Sequence, residues 1–284
     1  MKLTCPAPAK LNLFLHVTGQ RADGYHTLQT LFRFIDLHDT LNFSLRTDSV
    51  VRRTNSIEGV DEGSDLCVRA AHLLQSETGC TSGVDIAVEK RIPMGGGLGG
   101  GSSDAATTLI ALNRLWSLGL KRAQLMQFGL RLGADVPVFV FGENAFAEGV
   151  GEKLQAFSLP DASYVVLFPP VQVPTAQIFA HPELTRDTVS ITMRALSERQ
   201  FFGEGQFRND LQAVVCSLYP EVARHIAWLG NFGKASMTGS GACVFAEFAS
   251  RDQAEAVLQK LPHDMCGMVA QGLARHPLHG WVLD

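Results

Sequence analysis

The chain has 284 residues, 46% hydrophobic and 18% charged, with a formal net charge of −4. That length supports one large or two ordinary domains with a full core, and the composition is that of a folded globular chain rather than a disordered one. The negative balance speaks against a surface built to coat nucleic acid, the six cysteines at 5, 67, 80, 216, 243 and 266 have neither the spacing nor the histidine partners of a metal site, and no run approaches the ~20 apolar residues of a membrane helix.

Cysteines so scattered read as reduced, buried thiols. Leu3-Thr4-Cys5 has no apolar run in front of it, so a secretory leader is not expected and a cytoplasmic chain is. Pro6 and Pro8 forbid helix at the start. From Lys10 the residues alternate as in a strand, with Lys10, Asn12, Phe14 and His16 on one face and Leu11, Leu13, Leu15 and Val17 on the other. Lys10 and Asn12 in register either line a site or face water, and water is the ordinary place for a lysine. A turn over 21–26 holds the pair Asp23-Gly24. Strands of one antiparallel sheet follow over 27–35 and 40–45, then a hairpin-like polar stretch over 46–63. A helix is predicted over 65–75, with Leu66, Ala70, Leu73 and Leu74 on one stripe.

Residues 84–89, Val-Asp-Ile-Ala-Val-Glu, alternate as a strand and lead through Lys90 and Arg91 into Pro93, Met94, Gly95, Gly96, Gly97, Leu98, Gly99, Gly100, Gly101, Ser102, Ser103 and Asp104. Such a glycine run weakens any helix or strand. It does permit φ > 0 at neighbouring positions and bare N–H groups along a tight curve, a nest for anions. Ser102, Ser103 and Asp104 are good N-cap residues for a helix over 103–118. Strand, glycine turn and helix N-terminus together are a layout for phosphate. The dinucleotide fingerprint is matched only by accident of the run, because no acidic residue stands about 20 positions on. The Walker lysine is absent too. A second helix over 121–132 follows, and Gly119 and Gly133 stop the two.

Asp135 stands at the lip of the apolar run 136–141. It is either a cap, the common role, or a partly desolvated carboxylate suited to act as a base. Residues 144–151 read as a strand with bulge glycines. Composition shifts over 157–162, and a second unit opens with a strand at 164–168. It continues with helices over 209–218 and 221–229, a glycine turn over 237–242, a helix over 252–261 and a strand over 265–270, an α+β order. The turn Gly239-Ser240-Gly241 is either a plain hairpin turn or a second set of backbone amides for an oxyanion.

The order of Pro8-Ala9-Lys10-Leu11-Asn12, the loop 93–103 and Thr238-Gly239-Ser240-Gly241 resembles the GHMP small-molecule kinases. Residues 21–26 and 133–139 bring the resemblance nearer to the members whose acceptor is a cytidyl diphosphate methylerythritol, and it covers nearly the whole chain. It implies an α+β, two-domain GHMP kinase fold: a ribosomal protein S5 domain 2-like N-terminal half (1–158) that binds ATP and a ferredoxin-like α+β C-terminal half (159–284) that completes the substrate site.

The activity so implied is ATP-dependent phosphorylation of an alcohol on the non-mevalonate route to isoprenoid precursors. Asp135 would be the base and Lys10 its charged partner, with the loop from Pro93 to Ser103 on the ATP phosphates. Asn12 would contact the erythritol and His26 the cytosine edge. Tyr25 and Phe179 would stack on the base, and Thr175, Gly239 and Ser240 would complete the substrate site. Mg²⁺ would accompany ATP without an all-protein cage, with Ser102 or Ser103 in reach. Asp65 stands where the family commonly has an asparagine against adenine, and a carboxylate there can accept but not donate. Lys90 is either near the nucleotide or a solvated charge. Neither nucleic acid nor membrane is an expected partner, and the expected state is a monomer or weak homodimer. A GHMP kinase of the homoserine or mevalonate type and a non-catalytic RNA-binding protein are the alternatives.

Overall fold

Two strands as long as any in the chain, β1 (Lys2–Gln20) and β2 (His26–Leu45), run antiparallel and form the spine of the protein. The computed structural model describes residues 1–197 and 207–284. In chain order there follow β3 (Val51–Arg53), α1 (Leu66–Thr78), β4 (Val84–Glu89), α2 (Gly100–Leu115), α3 (Arg122–Leu132), α4 (Val136–Phe141), β5 (Ala145–Glu148) and β6 (Lys153–Ala156). The later elements are β7 (Ser163–Leu167), α5 (Thr175–Ala180), α6 (Met193–Ser197), α7 (Gln212–Leu218), α8 (Pro220–Leu229), β8 (Ser236–Met237), β9 (Val244–Phe248), α9 (Arg251–Leu258) and β10 (Gly267–Leu273).

The strands join in one mixed sheet of order β3-β4-β2-β10-β7-β9-β8, with β1 and β5 also on β2 and β6 on β5. Where two strands were expected over 27–35 and 40–45, β2 is continuous. The polar residues between them fall at a register shift, Pro8 pairing with His38 and Ala9 with Ile35, so a bulge absorbs what the alternation reads as a break. The polar stretch after β2 is not a hairpin, because β3 pairs parallel to β4. The segment expected as one strand over 144–151 is the first arm of the hairpin β5–β6.

The helix after the glycine run starts earlier than its cap residues indicate. Gly99, at φ 75°, takes the cap position. Ser103 and Asp104 lie buried inside α2 instead, and Ser103 Oγ donates to the Pro8 carbonyl at 2.7 Å. Alanines and aliphatic residues all round make α2 a buried helix, packed on β1, β2, α1 and α4. Gly133 does stop α3, whereas Trp116 caps α2 before Gly119.

The apolar side chains divide by sheet face. One cluster joins α1, α2 and α4 to β2 and β4 and takes in Leu278 and Val282. A second packs α7, α8 and α9 on Val165, Leu167, Val244 and Val269. The alternate residues Tyr164, Val166 and Phe245 face Ala9, Leu11 and Ile35 in a third. β10 pairs with β7 along 267–271 and with β2 at Gly272–Ile35 and Leu273–Phe34, so the two halves share one ladder.

Candidate active site

Lys10 is not solvated, as its position on a strand face would ordinarily have it; it is 2% exposed. Its ammonium donates to Asn12 Oδ1 at 2.5 Å and to the Gly97 carbonyl at 2.9 Å, and stands 3.3 Å from Asp135 Oδ2. A lysine removed from water needs such partners for each of its three N–H bonds. Asn12 is itself held at both ends, its Nδ2 donating to Thr30 Oγ1 at 2.9 Å and its backbone N–H to Thr238 Oγ1 at 2.9 Å. Asp135 occupies the N-cap position of α4 yet makes no side-chain cap bond, which removes the capping role. Its side chain is 38% exposed and turns to Lys10.

The glycine loop alternates left-handed backbone at Gly95, Gly97 and Gly99. A Cβ on Gly97 would run into the Thr238 carbonyl oxygen, so only glycine lets the loop dock on the 238–243 turn. The docking is continued by the Cys243 N–H, which donates to the Gly96 carbonyl at 3.0 Å. That turn is fixed from below by Asn209, whose Nδ2 donates to the carbonyls of Met237 and Gly239.

Lys90, left above as near the nucleotide or solvated, is committed to two carboxylates: Asp39 Oδ2 at 2.5 Å and Asp104 Oδ2 at 2.7 Å. Burial alone lowers the proton affinity of this ammonium, but the two carboxylates raise it above its ordinary value. Burial pushes Asp104 up to about 7, against the pull of Lys90 and with the push of Asp39. Asp39 also takes the N–H groups of Arg91 and Ile92, tying the start of the glycine loop to β2. Asp65 caps α1 by accepting from the Cys67 N–H at 2.7 Å and pairs with Arg53 at 2.7 Å.

A cavity of about 1220 Å³ joins these pieces. Lys10, Asn12, Asp135, the loop from Pro93 to Ser102, Tyr25, His26, Thr175, Phe179, Gly239 and Ser240 all border it. Ser103, expected with them, is buried in α2 and does not. At one end Phe179 of α5 stacks on His26, centroids 5.1 Å apart and planes 29° apart, with Tyr25 mostly exposed nearby. Thr175 and Ser240 share a hydrogen bond of 2.7 Å. Sequence reasoning missed Thr30, Thr238, Asp39 and Arg186. Thr238 opens the Thr-Gly-Ser-Gly turn but carries no expected role there; the other three act on site residues from stretches with no motif, and Arg186 borders the cavity with its Nε 3.1 Å from His26 Nε2.

The description "GHMP kinases N terminal domain" matches residues 65–143 and "GHMP kinases C terminal" matches 186–266. The chain is 60% identical to the 4-diphosphocytidyl-2-C-methyl-D-erythritol kinase of Nitrosospira multiformis, covering 99% of this chain and 95% of that one. It is 59% identical to the kinase of the same name from Thiobacillus denitrificans, covering 99% of both. Among solved structures, a 4-(cytidine 5'-diphospho)-2C-methyl-D-erythritol kinase superposes with TM-score 0.77 at 34% identity, over 95% of this chain and 99% of that one. A homoserine kinase from Cytophaga hutchinsonii, at 14% identity and TM-score 0.73 over 97% of this chain and 95% of its own, shares the fold.

Proposed function

The chain belongs to the GHMP kinase family, in the branch of the 4-diphosphocytidyl-2-C-methyl-D-erythritol kinases, and from that we propose that it moves the γ-phosphoryl group of ATP to the 2-hydroxyl of 4-diphosphocytidyl-2-C-methyl-D-erythritol, on the non-mevalonate route to isoprenoid precursors.

The observation that carries the residue roles is the Lys10–Asp135 pair, 3.3 Å apart beside the glycine loop and in the cavity that Tyr25, His26 and Phe179 close at its far end. Phosphoryl transfer asks the protein mainly to position its reactants and to neutralise charge. Asp135, open to the cavity, takes the proton of the acceptor hydroxyl as its oxygen moves onto phosphorus. Lys10, fixed by Asn12 and Gly97, pairs with Asp135 and sets a positive charge beside the transferring group. Amides of the loop from Pro93 to Ser102 hold the ATP phosphates. Asn12, its Oδ1 held by Lys10 and by Thr238 Oγ1 at 3.4 Å, meets the erythritol from the wall of the cavity. Tyr25 and Phe179 stack on cytosine, and Thr175, Gly239 and Ser240 border the acceptor.

Mg²⁺ belongs to the same proposal. Among the described residues no group of three or more His, Cys, Asp or Glu could hold a metal ion, and Ser102, unlike Ser103, keeps its hydroxyl free on the cavity side. That donor set fits magnesium carried on phosphates and water. When bound, the ion supplies neutralisation of phosphate charge.

We also propose a division between an ATP-binding half (1–158) and a half that completes the substrate site (159–284). One apolar cluster drawn mostly from the first half and a second drawn mostly from the other support it. No described helix is long and apolar enough to cross a membrane; we further propose a cytoplasmic chain, monomeric or weakly dimeric, whose net charge of −4 speaks against a nucleic-acid partner.

Asp135→Asn tests the reading. Turnover of the cytidyl substrate with ATP falls roughly 10²- to 10⁴-fold, while the melting curve stays that of the unaltered protein. Near-normal turnover would remove Asp135 as the base. Turnover of homoserine or mevalonate in place of the cytidyl compound would assign the chain to another branch of the family.

A further inference from the structure

The Arg186 guanidinium makes four hydrogen bonds. Three go to carbonyls at and beyond the C-terminal end of α5: Phe179 at 3.0 Å, His181 at 2.7 Å and Leu184 at 3.1 Å. Carbonyls left over at a helix end are natural partners for a cation. The fourth runs from Nε to His26 Nε2 at 3.1 Å. An arginine N–H donates and cannot accept, so His26 Nε2 must be the bare nitrogen of the ring. A neutral imidazole then carries its proton on Nδ1. Burial, and after it the Arg186 charge, lower the proton affinity of His26, which keeps the ring neutral. Nδ1 has no partner among the described residues, and His26 borders the cavity under the Phe179 ring.

We propose that Arg186 is the positioning residue that sets which pyrimidine this site accepts, by locking His26 in the tautomer that offers Nδ1–H to the cavity. The inference rests on the cytidyl reading above and deepens it. Cytosine presents N3 as an acceptor, which an Nδ1–H donor satisfies. Uracil carries a proton on N3, so the same face brings two donors together and leaves both unsatisfied. A site built to hydrogen-bond one partner rejects an analogue that leaves its polar groups unpaired. The same guanidinium grips the Phe179 carbonyl, so one side chain holds both the stacking ring and the reading ring in place.

Two measurements test this. In the unaltered protein, ¹⁵N chemical shifts of His26 should show a pyrrole-type Nδ1 and a pyridine-type Nε2, and cytidine 5′-monophosphate should move the Nδ1–H resonance where uridine 5′-monophosphate does not. In kinetics, the kcat/KM ratio for the cytidyl over the uridyl diphosphate alcohol should fall about tenfold or more in Arg186→Met. Arg186→Lys, which keeps a donor, should retain most of the ratio.

A protonated Nε2 in a protein that still turns over the cytidyl compound overturns the role of Arg186 and leaves the function standing. So does an Arg186→Met variant whose ratio is unchanged. If cytidine 5′-monophosphate leaves His26 untouched and neither pyrimidine compound is turned over, the cytidyl reading falls and this proposal falls with it. Should Arg186→Met fail to fold, the shifts in the unaltered protein decide alone.

Discussion

Lys10 and Lys90 are residues that ordinarily reach for water, and the fold takes both out of it, Lys10 almost wholly and Lys90 for the most part. Their uses differ. Lys10 keeps one partner, Asp135, open to the cavity, whereas Lys90 bridges Asp39 and Asp104, whose side chains are 0% and 6% exposed. Lys90→Met therefore strands two buried carboxylates. Breaking a buried pair from one side costs about 3–5 kcal/mol, and chemical denaturation should show a loss of that order. A smaller loss, within about 1 kcal/mol, would mean that water reaches the pair. Neither lysine could be read correctly from its neighbours in the chain, since a lysine on a strand or at its end carries no local mark of burial. The carboxylates that make burial tolerable come from other elements: Asp39 from β2, Asp104 from α2 and Asp135 from the start of α4. What the residue pattern did carry was the register that places Lys10 and Asn12 on one face.

At the scale of elements, the alternating strands and apolar-striped helices were legible because period two and period 3.6 are local properties. Their ends were less so. Good cap residues at Ser102 to Asp104 predicted a later start for α2, but the left-handed Gly99 caps it and tertiary packing draws the serine and aspartate inside. α1 shows the reverse. Asp65 caps it as such a residue should, and its other oxygen is spent on Arg53, with both side chains almost fully buried. Asp65→Ala loses a cap worth about 1 kcal/mol and leaves a buried guanidinium without its anion. Thermal or denaturant unfolding should register about 3 kcal/mol or more in all. Asp65→Asn, which can still cap, should fall between that variant and the unaltered protein; equal losses would put the whole effect on the ion pair.

For the whole molecule, β10 is the shared member of two ladders, and the segment after it returns to the first half. The His276 N–H donates to the Gly142 carbonyl, and its ring meets Phe34 edge-on at 6.1 Å. Burial, then the His279 and Arg122 charges, lower its proton affinity to about 3 from an ordinary 6.5. The unfolded chain thus binds a proton here that the folded chain refuses. The stability due to the neutral ring is fully present above about pH 6.5 and is lost as pH falls from there toward about 3. Relative to the unaltered protein, His276→Asn should gain melting temperature as the solution is acidified. A difference that does not change with pH would show the ring to be hydrated. Beyond His276, Arg122 of α3 holds the carbonyls of His279 and Val282 and the carboxylate of Asp284, while Leu278 and Val282 fill the cluster that contains Cys5 and Ala7. Residues 278–284 thus cover part of the first half's interior although the chain reaches them only after the whole second half. A truncation that removes them would wound the opening half of the protein, distant in sequence and adjacent in space.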